Sequence, residues 1–298
     1  MDVQDRARPV LVGIDGSESS LNAVRWAAGE AARRAAPLRV VTAFAWQGGR
    51  AVDRFEAGDD PHEVMLGAAQ RQLAEAAAVA AEVLPQKQVE PLPVGGLPIP
   101  VLQDQSRDAQ LLVLGDRGYG AISGLLLGSV AAAMAADAGC PVVLVRSQEG
   151  EPVADRERPV VVGVDGSPLS EAALAFAYEQ ASVRGVPLIA VHAWWDWIGD
   201  PKVAPVLDWG ALQNEAEEVL AERLAGWAEK YPDVRVHRRV VRDRPAHALV
   251  EESRRAQLVV VGARGRGGAT GLLLGSVSHK VLHRSHCSIA VVRPAPVP

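Results

Sequence analysis

"RPVLVGIDGS" occupies Arg8–Ser17, and "RPVVVGVDGS" occupies Arg158–Ser167, 150 positions later. In each, a short β-branched run ends in Gly-x-Asp-Gly-Ser. The run reads as a buried strand, and the Gly-Asp-Gly-Ser that follows suits a tight turn and a helix start. A strand that breaks directly into a helix opens a strand–helix–strand unit, so this stretch points to an α/β fold.

The self-similarity continues outward. "AQLLVLGDRG" at Ala109–Gly118 matches "AQLVVVGARG" at Ala256–Gly265, and "GLLLGSV" at Gly124–Val130 returns unchanged at Gly271–Val277. These later pairs are offset by 147, so the second copy is three residues shorter in between. Repeats of this length, present twice, mean a duplicated domain, because solenoid repeats are much shorter. The hydrophilic "SQEGEPVADRER" reads as a linker over 147–158, between domains at 1–146 and 159–298.

Each copy alternates strand and helix signals. The first predicts strands at Val10–Ile14, Leu38–Phe44, Gln88–Val94, Leu111–Leu114 and Val142–Val145. Its helices fall at Ser19–Ala36, His62–Leu84, Pro98–Arg107 and Ser129–Ala138. The second follows suit, with strands at Val160–Val164, Leu188–Ala193, Arg235–Val241, Leu258–Val261 and Ile289–Val292. Its helices fall at Ser170–Arg184, Leu212–Lys230, Ala246–Arg255 and Ser276–Arg284. Short, all-apolar central strands imply a parallel sheet covered on both faces, and right-handed crossovers make it doubly wound. The fold class is therefore α/β, with two tandem doubly wound five-stranded parallel sheets of Rossmann-like type.

The bulk numbers agree. The 298 residues suffice for about two domains, and 48% apolar with 22% charged residues is ordinary for a globular protein. A net charge of −5 argues against a general nucleic-acid binder, which needs a basic face for phosphates. No apolar run has signal-peptide or membrane-span length, so a cytoplasmic location is expected. Cys140 and Cys287 stand in matching contexts before apolar strands, and read as buried thiols rather than a disulfide.

In open parallel sheets, ligands sit beyond the carboxyl ends of the strands. Two segments of each copy land there. One holds Gly13, Ile14 and Asp15, with Gly163, Val164 and Asp165 as its twin. The other holds Gly115, Arg117 and Gly118, nine residues, then Gly128 and Ser129; its twin is Gly262, Arg264 and Gly265, nine residues, then Gly275 and Ser276. Glycines let backbone amides approach an anion, and a helix opening at Gly-Ser offers unpaired amides to an oxyanion. Ser129 and Ser276 add hydroxyls, and Arg117 and Arg264 add charged donors. Asp15 and Asp165 accept from a ribose hydroxyl or an adenine amino group, or hold a metal on the phosphates. There is no P-loop, and no G-x-G-x-x-G follows the first strand.

These motifs resemble the universal stress proteins, in their tandem-domain, ATP-binding branch found in mycobacteria and other actinobacteria. The likeness covers nearly the whole chain. The family's signature of Gly, two residues, Gly, nine residues, Gly and Ser/Thr is met in both copies. The resemblance implies ATP, with or without Mg2+, as the ligand of each domain. It implies that Asp15 and Asp165 approach the adenine and ribose with backbone near Gly13, Ile14, Gly163 and Val164. Gly115, Arg117, Gly118, Gly128, Ser129 and Val130 would line the ribose and phosphate path. Their equivalents are Gly262, Arg264, Gly265, Gly275, Ser276 and Val277, and Ala43 and Ala193 would lie near the base. The leucines of "GLLLGSV" fall in the nine-residue excursion.

Two differences separate the copies. Ser278, a hydroxyl typical of ATP-binding members, faces Ala131 in the first copy, and Asp116 stands where the second has Ala263. Both differences predict tighter binding at the second site. His279 and His283 have the i, i+4 spacing of metal ligands, but the first copy has no counterpart, and a surface helix face is the better reading. Trp46, Trp194, Trp195 and Trp197 either wall the adenine pocket or cover apolar surface between the domains, and the second is the better reading because aromatics at such positions more often pack than touch ligand. The acidic stretch Glu56–Glu63 reads as a solvated loop.

No nucleophile–base–orienter set appears, so no enzyme is expected. The resemblance implies a nucleotide-dependent regulator of stress or dormancy, with an unknown protein partner and a homodimeric state. A slow ATP hydrolase or nucleotidyl transferase, and a nucleotide-free interaction module, are the alternatives.

Overall fold

In the computed structural model, residues 8–45, 60–118, 127–146, 157–167, 170–194, 208–265 and 274–294 are described. The chain divides into two compact units, Met1–Ser147 and Gln148–Pro298. The leucines at 125–126 and 272–273, Trp46, Trp195, Trp197, most of the linker stretch and the first half of the acidic stretch lie outside the described residues.

The first unit runs β1 (Val10–Ile14), α1 (Glu18–Arg34), β2 (Leu38–Phe44), α2 (Pro61–Ala81), β3 (Val89–Gly95), α3 (Pro98–Ser106), β4 (Leu111–Gly115), α4 (Ser129–Asp137) and β5 (Val142–Val145). Its strands lie in the order β3-β2-β1-β4-β5, and the registered neighbours are parallel. The second unit runs β6 (Val160–Gly163), α5 (Ser170–Arg184), β7 (Leu188–Ala193), α6 (Trp209–Leu224), α7 (Trp227–Lys230), β8 (Val236–Val241), α8 (Pro245–Ser253), β9 (Leu258–Gly262), α9 (Ser276–Arg284) and β10 (Ser288–Val292). Its order, β10-β9-β6-β7-β8, repeats the first unit's, again with parallel neighbours.

In each unit the strands are covered on two faces. In the first unit, α1 and α2 pack together and against β1, β2 and β4, while α3 and α4 pack together and against β1, β2 and β5. The central strands are consequently sealed: Val10, Leu11 and Val12 of β1 and Leu111, Leu112 and Val113 of β4 have no exposure, nor do Val160, Val161 and Val162 of β6. Two-faced burial selects the continuous Val/Leu runs seen in the sequence. Pro91 and Pro93 sit in β3, which pairs only with β2 in the sheet, because proline lacks the N–H that a central strand must donate.

Several helix ends differ from the sequence reading by one to three residues, and two of the differences have a clear backbone cause. Helix α1 ends at Arg34 rather than Ala36, because Ala35 turns to φ 50°, and its N–H closes on the carbonyls of Ala31 and Ala32. The helix expected over Leu212–Lys230 is split. Ala225 is extended and Gly226 adopts φ 79°, a left-handed conformation that breaks α6 from the single turn of α7.

Candidate functional site

The turn after β1 is built by its own side chains. Oδ1 of Asp15 accepts from the amide of Ser17 at 3.0 Å and from its hydroxyl at 2.6 Å. Gly16 between them takes φ 83°, where a Cβ would be strained. Ser17 in turn caps α1 by accepting from the amide of Ser20 at 3.2 Å. The second unit repeats this arrangement: Oδ1 of Asp165 accepts from Ser167 N at 2.9 Å and from its hydroxyl at 2.6 Å, across Gly166 at φ 76°. Asx turns of this kind aim the carboxylate across the crevice at the strand ends.

The turn after β4 forms the opposite wall. The amide of Gly128 donates to Asp116 O at 2.9 Å, and that of Gly275 to Ala263 O at 2.7 Å. These bonds hold Gly128 and Gly275 against the strand ends, so α4 and α9 start beside the turns. Both helices begin at glycine N-caps without a side-chain cap. The first main-chain bond of each is i→i−4: Ala132 to Gly128 O, and His279 to Gly275 O, each at 2.9 Å. The amides of Ser129, Val130 and Ala131, and of Ser276, Val277 and Ser278, are therefore those that a helix start leaves for an outside acceptor.

One cavity per unit results, of about 470 Å3 in the first and 480 Å3 in the second. Both lie within the usual range of small-molecule sites. Every site residue expected from the sequence lines one or the other. Gly13, Ile14, Asp15, Ala43, Gly115, Arg117, Gly118, Gly128, Ser129 and Val130 line the first. Gly163, Val164, Asp165, Ala193, Gly262, Arg264, Gly265, Gly275, Ser276, Val277 and Ser278 line the second.

The sequence reading missed the floor and the far end. Pro98 and Leu102 from α3, and Pro245 and Leu249 from α8, line the two cavities at matching places, as do Ser20 and Ser170. The 147-residue offset between the two Pro/Leu pairs was a usable signal. Gln72 from α2 has no such signal; it reaches the first cavity and donates to Asp15 O at 3.3 Å. Trp194 lines the second cavity, and it is tilted against Trp209 with ring centroids 6.3 Å apart.

The two differences expected to weaken the first site both make bonds within the protein. Asp116 is 5% exposed, and Oδ1 accepts from the Ser19 hydroxyl on α1 at 3.0 Å. Its Oδ1 is held under α1, while its Oδ2 lies 3.9 Å from the Nε of Arg117, a residue that lines the cavity. Ser278 lines the second cavity, but its hydroxyl donates to Gly262 O at 2.6 Å, so the proton that would meet a phosphate is already used to tie α9 to β9. The rings of His279 and His283 are tilted by 48° to one another, with centroids 4.6 Å apart. No group of three or more potential metal ligands occurs among the described residues. Both cysteines are free thiols, and burial pushes that of Cys140 up to about 12. No helix among the described residues is long and apolar enough to cross a membrane.

Two doubly wound parallel α/β units in tandem, each with a glycine-walled cavity at the carboxyl ends of its strands, define the class of the protein. The model of the universal stress protein family matches residues 6–146 and 157–293. The chain belongs to that family. It is 45% identical over 291 residues to the universal stress protein Rv2005c of Mycobacterium tuberculosis, covering 95% of this chain and 96% of the relative. A universal stress protein of Mycolicibacterium smegmatis is 41% identical over 292 residues, covering 96% and 97%. The crystal structure of a universal stress protein from Archaeoglobus fulgidus aligns with a TM-score of 0.66 at 22% identity, covering 97% of each chain, and shows the same fold.

Proposed function

We propose that each unit binds one ATP, and that the bound nucleotide regulates a stress or dormancy response by altering conformation or partner contacts rather than by turnover. The observation that carries this reading is the repeated convergence, in one cavity, of two glycine turns and an uncapped helix start. The amides at the starts of α4 and α9 suit phosphate oxygens, with Arg117 and Arg264 as charged donors beside them. Asp15 and Asp165 suit ribose hydroxyls, and the base then lies over β2 or β7, beside Ala43 or Ala193. One carboxylate per cavity fits Mg2+ that arrives on the phosphates and keeps most of its waters. The Ser17 hydroxyl bonded to Asp15 is committed to capping α1, so the pair organises a turn rather than activating a nucleophile. The reading extends to a cytoplasmic homodimer that signals to an unidentified protein partner.

The test is nucleotide content. The full chain, purified without added nucleotide and then denatured, should release about two ATP per chain by chromatography. Gly128→Asp and Gly275→Asp should each remove one, since a carboxylate at the N-cap occupies the amides that phosphate needs. Predominant ADP would favour hydrolysis, and absence of nucleotide with no binding on titration would refute the proposal.

A further inference from the structure

The cavities match at their glycine turns and diverge at their far ends. Because β1 lies between β4 and β2, and β6 between β9 and β7, the end remote from the helix starts lies over β2 in one unit and β7 in the other. Thr42 and His192 occupy equivalent places there, and both line their cavities. In the first unit, the Thr42 hydroxyl donates to Gln72 Oε1 at 3.2 Å, and Gln72 Nε2 donates to Asp15 O at 3.3 Å. That leaves an amide N–H and hydroxyl lone pairs, a set that meets either a donor or an acceptor.

His192 is different. It is 6% exposed, and its Nδ1 lies 2.7 Å from Val164 O. A carbonyl only accepts, so Nδ1 carries the proton, and in the neutral ring Nε2 is an acceptor without a hydrogen. Among the described residues this is the ring's one hydrogen bond, which leaves Nε2 to the cavity. Trp194, two residues on, supplies an apolar face at the same end.

We propose that His192 makes the second cavity selective for a purine carrying a 6-amino group, whereas the first cavity admits 6-amino and 6-oxo purines alike. The inference rests on the nucleotide reading above. A 6-amino group donates to Nε2; a 6-oxo group sets acceptor against acceptor and leaves both unsatisfied, at a cost of about tenfold in affinity.

The experiment is an equilibrium titration of the full chain at pH 8 with ATP and with GTP, in two backgrounds that each leave one cavity working. In Gly128→Asp, ATP should bind the second cavity about tenfold more tightly than GTP. In Gly275→Asp, the first cavity should bind the two within about twofold. Adding His192→Phe to Gly128→Asp should bring the ratio toward one, with ATP still bound. His192→Gln should retain the preference, since its amide nitrogen donates to Val164 O and its oxygen takes the place of Nε2. A preference that survives His192→Phe, or is equal in the two backgrounds, overturns the assignment while nucleotide binding stands. If His192→Phe does not fold, the comparison of the two backgrounds decides. Failure of both nucleotides to bind either background would instead overturn the proposed function, and this inference with it.

Discussion

A Cβ built on Gly118 would stand 2.5 Å from Oδ2 of Asp15, and one on Gly265 would approach Oδ2 of Asp165 still more closely. Each carboxylate is held through Oδ1 by the amide and hydroxyl of the serine two residues on, an arrangement that an added Cβ would disturb. Gly118→Ala should therefore displace Asp15, weakening nucleotide binding at the first cavity about tenfold while leaving the second unchanged; a two-site titration reads this directly. Cys140 gives a prediction in pH. Its thiol ionises at about 12 in the folded chain, against about 8.5 for an ordinary cysteine. Iodoacetamide at pH 8 should alkylate it at least about a hundredfold more slowly than a free thiol, because the thiolate is the nucleophile. The linked effect on stability has a definite sign. Below the unfolded thiol's pKa both states hold the proton and the contribution is intact; as pH rises from there toward 12 the unfolded state ionises first, and stability falls. Alkylation at the ordinary rate would show that the site opens in the native state.

At the scale of elements, the helices differ in how they begin. Ser17 caps α1, Asp60 caps α2 and Asp208 caps α6 with side-chain acceptors, whereas α4 and α9 start at Gly128 and Gly275. A glycine cap sacrifices a few tenths of a kcal/mol relative to aspartate. The Cβ of an aspartate at Gly128 meets nothing closer than 3.6 Å, and at Gly275 nothing closer than 3.4 Å. Gly128→Asp and Gly275→Asp should therefore hold or slightly raise the thermal midpoint of the nucleotide-free protein while abolishing binding in their own cavity. Calorimetry on stripped protein checks this. A clear loss of stability would mean that these glycines are needed for the backbone rather than for the ligand.

At the scale of the molecule, each unit has its own five strands, its own helices on both faces and its own sealed core. The boundaries read from the sequence, 1–146 and 159–298, therefore predict that residues 159–298 expressed alone fold. Circular dichroism should show a cooperative thermal transition, and ATP should bind that fragment once. A fragment without a cooperative transition would mean that the second unit depends on the first. Because the two units share a fold and their cavities differ at the β2 and β7 ends, duplication here supplies two cavities free to diverge without a change of scaffold.

The sequence by itself determined the α/β class, the duplication, nearly every strand and all the glycine-turn residues. Those features rest on local chemistry: β-branched runs, Gly-Asp-Gly-Ser turns and Gly-Ser helix starts have the same consequences wherever they occur. Gly226 was legible as a residue but not as a helix break, because glycine inside a helical pattern is often tolerated. Only the tertiary structure decided where side chains from distant elements point. Asp116 turns to Ser19 across 97 positions, Gln72 bridges to Asp15 across 57, and Ser278 gives its proton to Gly262. The same holds for His192, whose free nitrogen is set by a carbonyl 28 residues away. Such choices depend on which donors and acceptors packing brings within hydrogen-bond reach, and that is a property of the assembled unit.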